Sequence, residues 1–561
     1  MATVTIPTVA RQDPRRWWAL GALVASMLVL GFDMTILNVA LPTMAAQLGA
    51  STGEQQWMAD AYVVVFAALM LPAGLLGDRF GRRRMLMTGL GIFLAGSLLG
   101  TLADDVSLVV VARAVMGLGG ALVMPLAMAV LPALFGPGER TKAVGVVSAA
   151  SALGMPLGPI IGGWLLDHFW WGSIFLINIP MVAIGLTACL LLLPETRDPA
   201  SPKVDTVSTA LTAAGLGALI YGIIEAPGRG WGDPLVLGML AAAAALLIAL
   251  VLRERRMTRP MLDMSLLRDR AFFLNTMAAT LVMFVLSGLM FVLPQYLQAV
   301  LGNDAFGTGV RMLPMMGGLL VAAKGAEPVV RRFGARAVIS GGLVVLAFAA
   351  ILGSRTDVDS GYGFTALWLS VAGLGFGFAV VPSMDSALGA LPVERAGSGS
   401  GLLMTVRQVG SALGIALLGS LLAGAYTDRL DTGGLPGPAA DAAGDSVVAA
   451  HGVAERLGAP GLVESANSAY VDGMGLVLLV SGVAALVTAL FVAALLPGRW
   501  SGTGRERETV GSGREAAEGA MPAVAGGAEA VADRAQAVAD RAEAHAQAQA
   551  VEGGGRGDGR Q

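Results

Sequence analysis

The sequence of 561 residues has little of the chemistry on which disulfides, metal sites and soluble surfaces depend. Cysteine occurs once, at Cys189, which excludes a disulfide within one chain. The three histidines, His168, His451 and His545, lie too far apart to indicate a metal site. Charged residues make up only 14% of the chain. This fraction is far below that of soluble globular proteins, so the composition excludes that class.

Long apolar stretches dominate the chain, which is 55% hydrophobic and has a mean hydropathy of +0.70. A helix that crosses a membrane needs about 20 mostly apolar residues. The sequence therefore predicts an all-α integral membrane protein with fourteen transmembrane helices. The predicted spans are 18–41, 56–77, 84–103, 107–134, 142–166, 173–193, 206–226, 234–252, 271–298, 307–328, 336–354, 362–386, 397–424 and 473–496.

Basic residues are concentrated in alternate connections between these spans, which predicts the orientation of the chain. Four arginines fall in 79–84, six in 253–270 and three in 331–336. The connections on the other side hold only four: Arg229, Arg355, Arg429 and Arg456. Short loops rich in arginine and lysine stay in the cytoplasm. The pattern predicts a multi-pass protein of the inner (plasma) membrane with both termini in the cytoplasm.

A faint internal repeat predicts the domain organisation. Arg79-Phe80-Gly81-Arg82-Arg83 follows the second span, and a similar run beginning at Arg332 follows the tenth. Repeated halves around a central site are a common transporter plan. The tail lacks large apolar residues, so we expect it to be disordered. The expected parts are a cytoplasmic N-terminus (1–17), an N-terminal six-helix half (18–193), two inserted helices (206–252), a C-terminal six-helix half (271–496) with an extracellular loop (425–472), and a cytoplasmic tail (499–561).

Ionisable residues inside the spans are the first candidate site residues. Asp33 lies in the first span, where a carboxylate loses its water and usually marks an ion path or ligand site. Arg113 lies in the fourth span and is the obvious candidate partner of Asp33, either for proton transfer or as a structural ion pair. Other polar groups have a structural role or belong to a cavity or gate; they are Asn38, Glu225, Asp385 and Arg407.

The connection after the second span carries a specific motif. It combines glycines, which let the backbone turn tightly, with a carboxylate that can cap a helix and pair with basic groups. Its residues are Gly74, Asp78, Arg79, Gly81, Arg82 and Arg83. This motif resembles the loop signature of the major facilitator superfamily, in which the loop latches the cytoplasmic side of the outward-open state.

The fifth span carries glycines spaced by four, a bare stripe that allows close packing of helices. Two prolines lie among the glycines and permit bending. Packing alone explains the glycines but not the prolines. The run resembles the motif of the antiporter branch of the same superfamily, which favours export over uptake. Its residues are Gly154, Pro156, Gly158, Pro159, Gly162 and Gly163.

Runs beginning at Asp33, Trp171 and Gly401 narrow the resemblance. With fourteen spans, the chain looks like the drug:proton antiporter family with fourteen spanners, of the EmrB/QacA type. The resemblance implies the major facilitator fold and a proton-coupled secondary exporter of amphipathic drugs or antibiotics, with Asp33 and Arg113 in proton coupling. It also implies a monomer in the lipid bilayer that binds a small amphipathic molecule and protons, with no cofactor, metal, nucleic acid or enzymatic activity.

Two alternatives remain open at this stage. A proton-linked uptake carrier of the same fold is one, and the glycine and proline run of the fifth span argues against it. A membrane receptor that transports nothing is the other, although the loops hold no catalytic constellation. The sequence contains no phosphate-binding loop of the Gly-x-x-x-x-Gly-Lys-Ser/Thr type, which argues against an ATP-driven pump.

Overall fold

The computed structural model describes residues 15–135, 137–197, 204–257, 263–391 and 395–496, and the regular structure in these ranges is helical throughout. A short 3₁₀-helix (Met264–Arg268) precedes the α-helix that begins at Arg270, and a π-helical turn (Tyr296–Val300) follows that α-helix. The α-helices are α1 (Arg15–Leu48), α2 (Thr52–Phe80), α3 (Arg82–Thr101), α4 (Val106–Leu134), α5 (Pro137–His168), α6 (Ser173–Leu176), α7 (Asn178–Leu192), α8 (Thr206–Arg229), α9 (Pro234–Arg256), α10 (Arg270–Gln295), α11 (Ala305–Arg311), α12 (Leu313–Phe333), α13 (Ala335–Gly353), α14 (Tyr362–Gly389), α15 (Ala396–Arg429), α16 (Gly437–Asp445), α17 (Val447–Leu457) and α18 (Pro460–Leu495).

The predicted membrane spans coincide with these helices, which confirms the all-α fold. Thirteen helical stretches in the described ranges are long and apolar enough to cross a membrane. The remaining predicted span, 142–166, lies within α5, a helix of 32 residues. Two spans are interrupted: α6 and α7 form the sixth, and α11 and α12 form the tenth.

The connection 425–472 contains more helix than the sequence analysis predicted. Helix α15 continues to Arg429, α18 begins at Pro460, and α16 and α17 lie between them. The Ser446 side chain caps α17 by accepting a hydrogen bond from the Ala449 amide at 3.1 Å. Hydropathy misses these helices because they are rich in alanine, which is a strong helix former but too weakly apolar for a span, and in polar residues.

The helices pack into two groups joined by an inserted pair. In the first group α1 packs on α5 and α7, and α4 packs on α2 and α3. In the second, α14 packs on α12 and α13, α10 packs on α15, and α18 packs on α13 and α15. The inserted helix α8 packs on α9 and also contacts α2 and α15. Helix α8 therefore touches one helix of each group.

The two groups meet mainly along three helix pairs, α2 with α15, α5 with α11, and α1 with α10. Gln56 on α2 donates its side-chain amide to the Ile415 and Ala416 carbonyls of α15, at 2.9 and 2.8 Å. Asp167 near the end of α5 accepts hydrogen bonds from the amides of Ala305 and Phe306 at 3.2 and 3.1 Å. These bonds lie toward the end of the bundle that carries the 425–472 connection.

Candidate proton and substrate site

Asp33 and Arg113 form a buried ion pair between α1 and α4. The Arg113 Nη1 atom lies 2.7 Å from the Asp33 Oδ2 atom, and the two residues are 2% and 1% exposed. Arg113 also donates its Nε–H to the Met58 carbonyl at 3.3 Å, and its guanidinium lies 4.5 Å from the centre of the Tyr62 ring. The structure therefore brings together the two charged residues that the sequence analysis paired.

Asn178 at the start of α7 completes the surroundings of Asp33. Its side-chain amide donates to the Asp33 Oδ1 atom at 3.2 Å and lies 3.4 Å from the Ser97 hydroxyl. Both carboxylate oxygens of Asp33 thus have donors, as a buried charge requires. Sequence reasoning did not single out Asn178. The signal was an amide side chain inside an apolar span.

This ion pair costs free energy to bury, and the cost matters for function. The attraction between two buried charges offsets their loss of hydration only when they are well paired. Removal of one partner typically costs about 3–5 kcal/mol. Neutralising Asp33 by a proton would therefore leave Arg113 without its counterion.

A cavity of about 210 Å³ lies next to this pair, between α1, α2, α4, α10 and α15. Its wall is mostly apolar, with methionines from three of these helices. Arg113, Asn38 and Arg407 are on the wall, whereas Asp33 lies behind Arg113. The lining residues are Met34, Thr35, Leu37, Asn38, Ala59, Tyr62, Val63, Arg113, Met124, Met283, Leu286, Ser287, Met290, Arg407, Gln408, Ser411 and Ile415.

Two of the proposed cavity or gate residues lie elsewhere. Glu225 is paired with Arg229, one turn later on α8, at 2.8 Å. Asp385 is exposed on α14. Neither belongs to the lining of the central cavity. Asn38 and Arg407 are thus the two of the four that the fold brings to the cavity.

The loop between α2 and α3 makes its described contacts with the first group of helices. Asp78 pairs with Arg82 at 2.7 Å, and Arg82 donates to the Ala129 carbonyl of α4 at 2.9 Å. Arg83 donates its amide to Glu195 at 3.2 Å, just after α7. Gly81 adopts a positive φ of 113°, which favours glycine. Sequence reasoning missed Glu195, which also lies 3.6 Å from Arg84.

The remaining glycine and arginine of this motif have weaker contacts. The guanidinium of Arg79 lies 5.7 Å from the ring centre of its neighbour Phe80. A Cβ atom on Gly74 would approach only Pro125, at 4.0 Å, whereas one on Gly77 would collide with Leu126. Close packing between α2 and α4 therefore depends on Gly77 more than on Gly74.

The glycine stripe of α5 packs directly against α1, the helix that carries Asp33. A Cβ atom on Gly154 would lie 2.8 Å from the Phe32 amide nitrogen, and one on Gly158 would collide with Thr35. A Cβ on Gly162 would meet Ile36. Close contact at three successive turns, with the α1 backbone at Gly154 and Gly158 and with a side chain at Gly162, packs α5 tightly against α1.

The adjacent residues of this motif face the second group of helices. A Cβ atom on Gly163 would collide with the Ala305 carbonyl, and one on Gly309 would collide with the Pro159 carbonyl. Pro156 is half-buried within α5, which stays helical through both prolines. The motif therefore packs on α1 with one face and on α11 with another.

Asp60 is a buried carboxylate that sequence reasoning missed. It is fully buried on α2, and within the described ranges neither carboxylate oxygen has a hydrogen-bond partner. The predicted span began at 56, which would have placed Asp60 near a wet helix end. The observed helix begins at Thr52, eight residues before Asp60. A buried carboxyl group without partners is costly, so this position is a candidate for proton exchange.

The structure predicts that Asp60→Leu stabilises the protein. Leucine has nearly the shape of aspartate, and it removes an unsatisfied polar group whose burial costs about 1–3 kcal/mol. We expect a higher thermal midpoint in detergent. The matched control is Asn178→Leu, which removes a buried amide that has partners and should lower the midpoint. A lower midpoint for Asp60→Leu would show that Asp60 has a stabilising partner.

Comparison with known proteins places this architecture in a family. The model of the Major Facilitator Superfamily matches residues 23–415. The chain belongs to the major facilitator superfamily. Membership confirms the resemblance seen in the α2–α3 loop and makes the protein a membrane transporter, not an enzyme.

Relatives with assigned roles resemble the chain over most of its length. It is 34% identical to the tetracenomycin C resistance and export protein of Streptomyces glaucescens, covering 85% of this chain and 90% of the relative. It is 37% identical to the probable actinorhodin transporter of Streptomyces coelicolor, covering 73% of each. It is 31% identical to the multidrug efflux pump LfrA of Mycolicibacterium smegmatis, covering 87% of this chain and 97% of the relative.

Solved structures support the fold. A bacterial homolog of the human lysosomal transporter Spinster, in an inward-facing and unoccupied conformation, matches with a TM-score of 0.64 at 18% identity. The match covers 88% of this chain and all of that chain. At this identity the likeness concerns the fold alone.

Proposed function

We propose that this protein is a proton-coupled secondary exporter of amphipathic organic compounds such as drugs or antibiotics, and that it works by alternating access. The observation that carries the proposal is the buried Asp33–Arg113 pair beside a mostly apolar cavity between two helix groups. The names of the relatives, which include resistance, export and efflux, support the outward direction.

Coupling follows from the position of Arg113 in the cavity wall. Ionised Asp33 holds the Arg113 guanidinium there, against Tyr62 and the Met58 carbonyl. A proton on Asp33 removes the counterion, so Arg113 shifts and the wall changes shape. Substrate binds the cavity while Asp33 and Arg113 are paired, whereas a proton on Asp33 favours the conformation in which the pair is broken. Each ligand thereby shifts the population of conformations in its own direction.

The glycine face of α5 transmits the change. Because α5 touches the α1 backbone at Gly154 and Gly158, a displacement of α1 beside Asp33 carries α5 with it. On its other face α5 contacts α11 of the second group at Gly163. Helix α5 is therefore the element that connects the protonation site to the contact between the two groups.

The α2–α3 loop acts as a cytoplasmic gate in this proposal. Its described hydrogen bonds and ion pairs lie within the first helix group, at Ala129 and Glu195. In the outward-open state Asp78 and its arginines would engage the second group instead. This arrangement fits a conformation in which the cytoplasmic side is not latched.

Topology and assembly are part of the proposal. Arginine-rich connections support cytoplasmic termini in the inner (plasma) membrane of a bacterium, and the packing supports two halves, 18–193 and 271–496, with 206–252 inserted. We propose that the protein works as a monomer in the lipid bilayer. The tail 499–561 lies outside the described residues.

Flux measurements with purified protein in proteoliposomes test the function. Tetracenomycin C and puromycin are the first probes, because relatives are named for resistance to them. An imposed pH gradient should drive accumulation of a probe against its own gradient, and a protonophore should abolish it. Downhill movement alone, unaffected by the protonophore, would show a carrier without proton coupling.

A further inference from the structure

Arg407 is a cation on the cavity wall whose charge is not balanced. It lies on α15, and its Nη1 atom is 3.1 Å from the Met404 sulfur and 3.3 Å from the Met384 sulfur. Its Nη2 atom is 3.5 Å from the Met283 sulfur. Its Nε atom is buried and has no hydrogen-bond partner in the described ranges. Thioether sulfur is only a weak acceptor, so these contacts do not neutralise a guanidinium.

The charges on the cavity wall are of one sign. Among the described residues that line the cavity, two are arginines and none is aspartate or glutamate. The charge of Arg113 is balanced by Asp33 at 2.7 Å, whereas no ion pair in the described part of the chain includes Arg407. A charged side chain at membrane depth is costly, and such residues usually face a functional partner. A group that balances the charge of Arg407 would have to be an anion.

The neighbours of Arg407 complete a surface that donates hydrogen bonds beside an apolar one. Gln408 follows it on the wall, and its side-chain nitrogen is buried without a partner in the described ranges. Ser411 lies one turn later and contacts Ser287 of α10. Methionines, which adapt to varied apolar shapes, line the rest of the cavity beside them. The cavity is thus suited to an aromatic or aliphatic body that ends in an acidic group.

We propose that Arg407 binds the acidic group of the substrate, and that the protein exports amphipathic organic acids in preference to organic cations. A guanidinium forms two parallel charge-assisted hydrogen bonds with a carboxylate. The substrate acid and the proton bind different groups, Arg407 in the second helix group and Asp33 in the first. This inference rests on the proposed function and names its substrate class.

Two probes with the same body and opposite charge test the proposal. Pyrenebutyrate carries a carboxylate, and (1-pyrenebutyl)trimethylammonium carries a fixed cation. Equilibrium dialysis at pH 7.5 against the protein in nanodiscs, with empty nanodiscs subtracted, gives both dissociation constants. We expect the acid to bind at least about tenfold more tightly, a difference of about 1.4 kcal/mol. Equal or tighter binding of the cation by the wild-type protein would overturn the proposal.

Substitutions at Arg407 separate recognition from a structural role. Arg407→Gln should weaken the acid about tenfold or more and leave the cation unchanged or improved. Arg407→Lys should retain part of the preference. Arg331→Gln is the matched control, because it removes an exposed arginine that pairs with Glu327, outside the cavity. Equal losses for both probes in Arg407→Gln would show that the arginine only supports the fold, and would overturn the proposal.

Transport distinguishes this inference from the proposed function. Equilibrium dialysis needs no pH gradient, so a preference for the acid can be measured even if the protein exchanges no protons. A failure of proton exchange would overturn only the proposal of proton-coupled export. Proton-driven transport of the cation but never of the acid would support the proposal of proton-coupled export and would overturn the proposed role of Arg407.

Discussion

Asp33→Asn is expected to abolish uphill export while the protein still inserts and folds. The amide keeps the shape of the carboxylate and its place beside Asn178, but it cannot take up or release a proton. It also leaves Arg113 buried without a counterion, a cost of about 3–5 kcal/mol in typical cases. The thermal midpoint should therefore fall, and accumulation driven by a pH gradient should drop to the level of empty liposomes.

The matched control for this substitution is Glu225→Gln. It neutralises another carboxylate on a membrane-spanning helix. This carboxylate is also paired with an arginine, Arg229, but it does not line the cavity. We expect its transport to be close to wild type. Monodisperse elution of each variant from gel filtration checks folding. Proton-driven accumulation by a folded Asp33→Asn variant would assign coupling to another group, with Asp60 as the next candidate.

Gly158→Leu is expected to reduce turnover much more than substrate binding. A Cβ atom at this position would collide with Thr35 and approach the Phe32 carbonyl to 3.0 Å, so a leucine forces α5 and α1 apart. Overpacking of this kind typically costs about 1–3 kcal/mol. A bias of that size changes the ratio of two conformations about 5- to 150-fold. The measurements are initial transport rate and equilibrium binding on the same preparation.

The control for added bulk is Gly91→Leu on α3. A Cβ atom there meets nothing within 4 Å, so the leucine should be accommodated with near-normal transport. Conformational bias is read by labelling single cysteines introduced on each side of the membrane, after the buried Cys189, the one cysteine of the sequence, has been replaced. Wild-type turnover in Gly158→Leu would show that α5 and α1 separate freely, which removes α5 as the transmitting element.

The helical fold follows from the sequence because hydropathy and length are local properties. Every predicted span lies within a helix or a pair of consecutive helices, apart from at most three residues at its end, and the match to the superfamily agrees with the loop motif at Asp78. The pairing of Asp33 with Arg113 could also be predicted from the sequence, because a buried charge is strongly destabilising without an opposite charge beside it. Glycine spacing indicated close packing of α5, although not that its partner is α1.

The contacts that sequence could not provide are those between distant segments. Nothing local shows that Asn178 reaches Asp33, 145 positions away, or that Glu195 occupies the space beside Gly81. Asp60 was overlooked because burial depends on the neighbouring helices and on where the helix begins. Glu225 shows that a charge inside a span can be satisfied on its own helix, here by Arg229.

The direct test of proton exchange is the lumen pH of proteoliposomes given only a substrate gradient. Vesicles are loaded with substrate, the pH is equal on both sides, and potassium with valinomycin clamps the voltage. As substrate leaves, protons should enter, so the lumen should acidify in proportion to the substrate gradient, and Asp33→Asn should abolish this change. An unchanged or rising lumen pH while substrate leaves through the wild-type protein would contradict the exchange of substrate for protons.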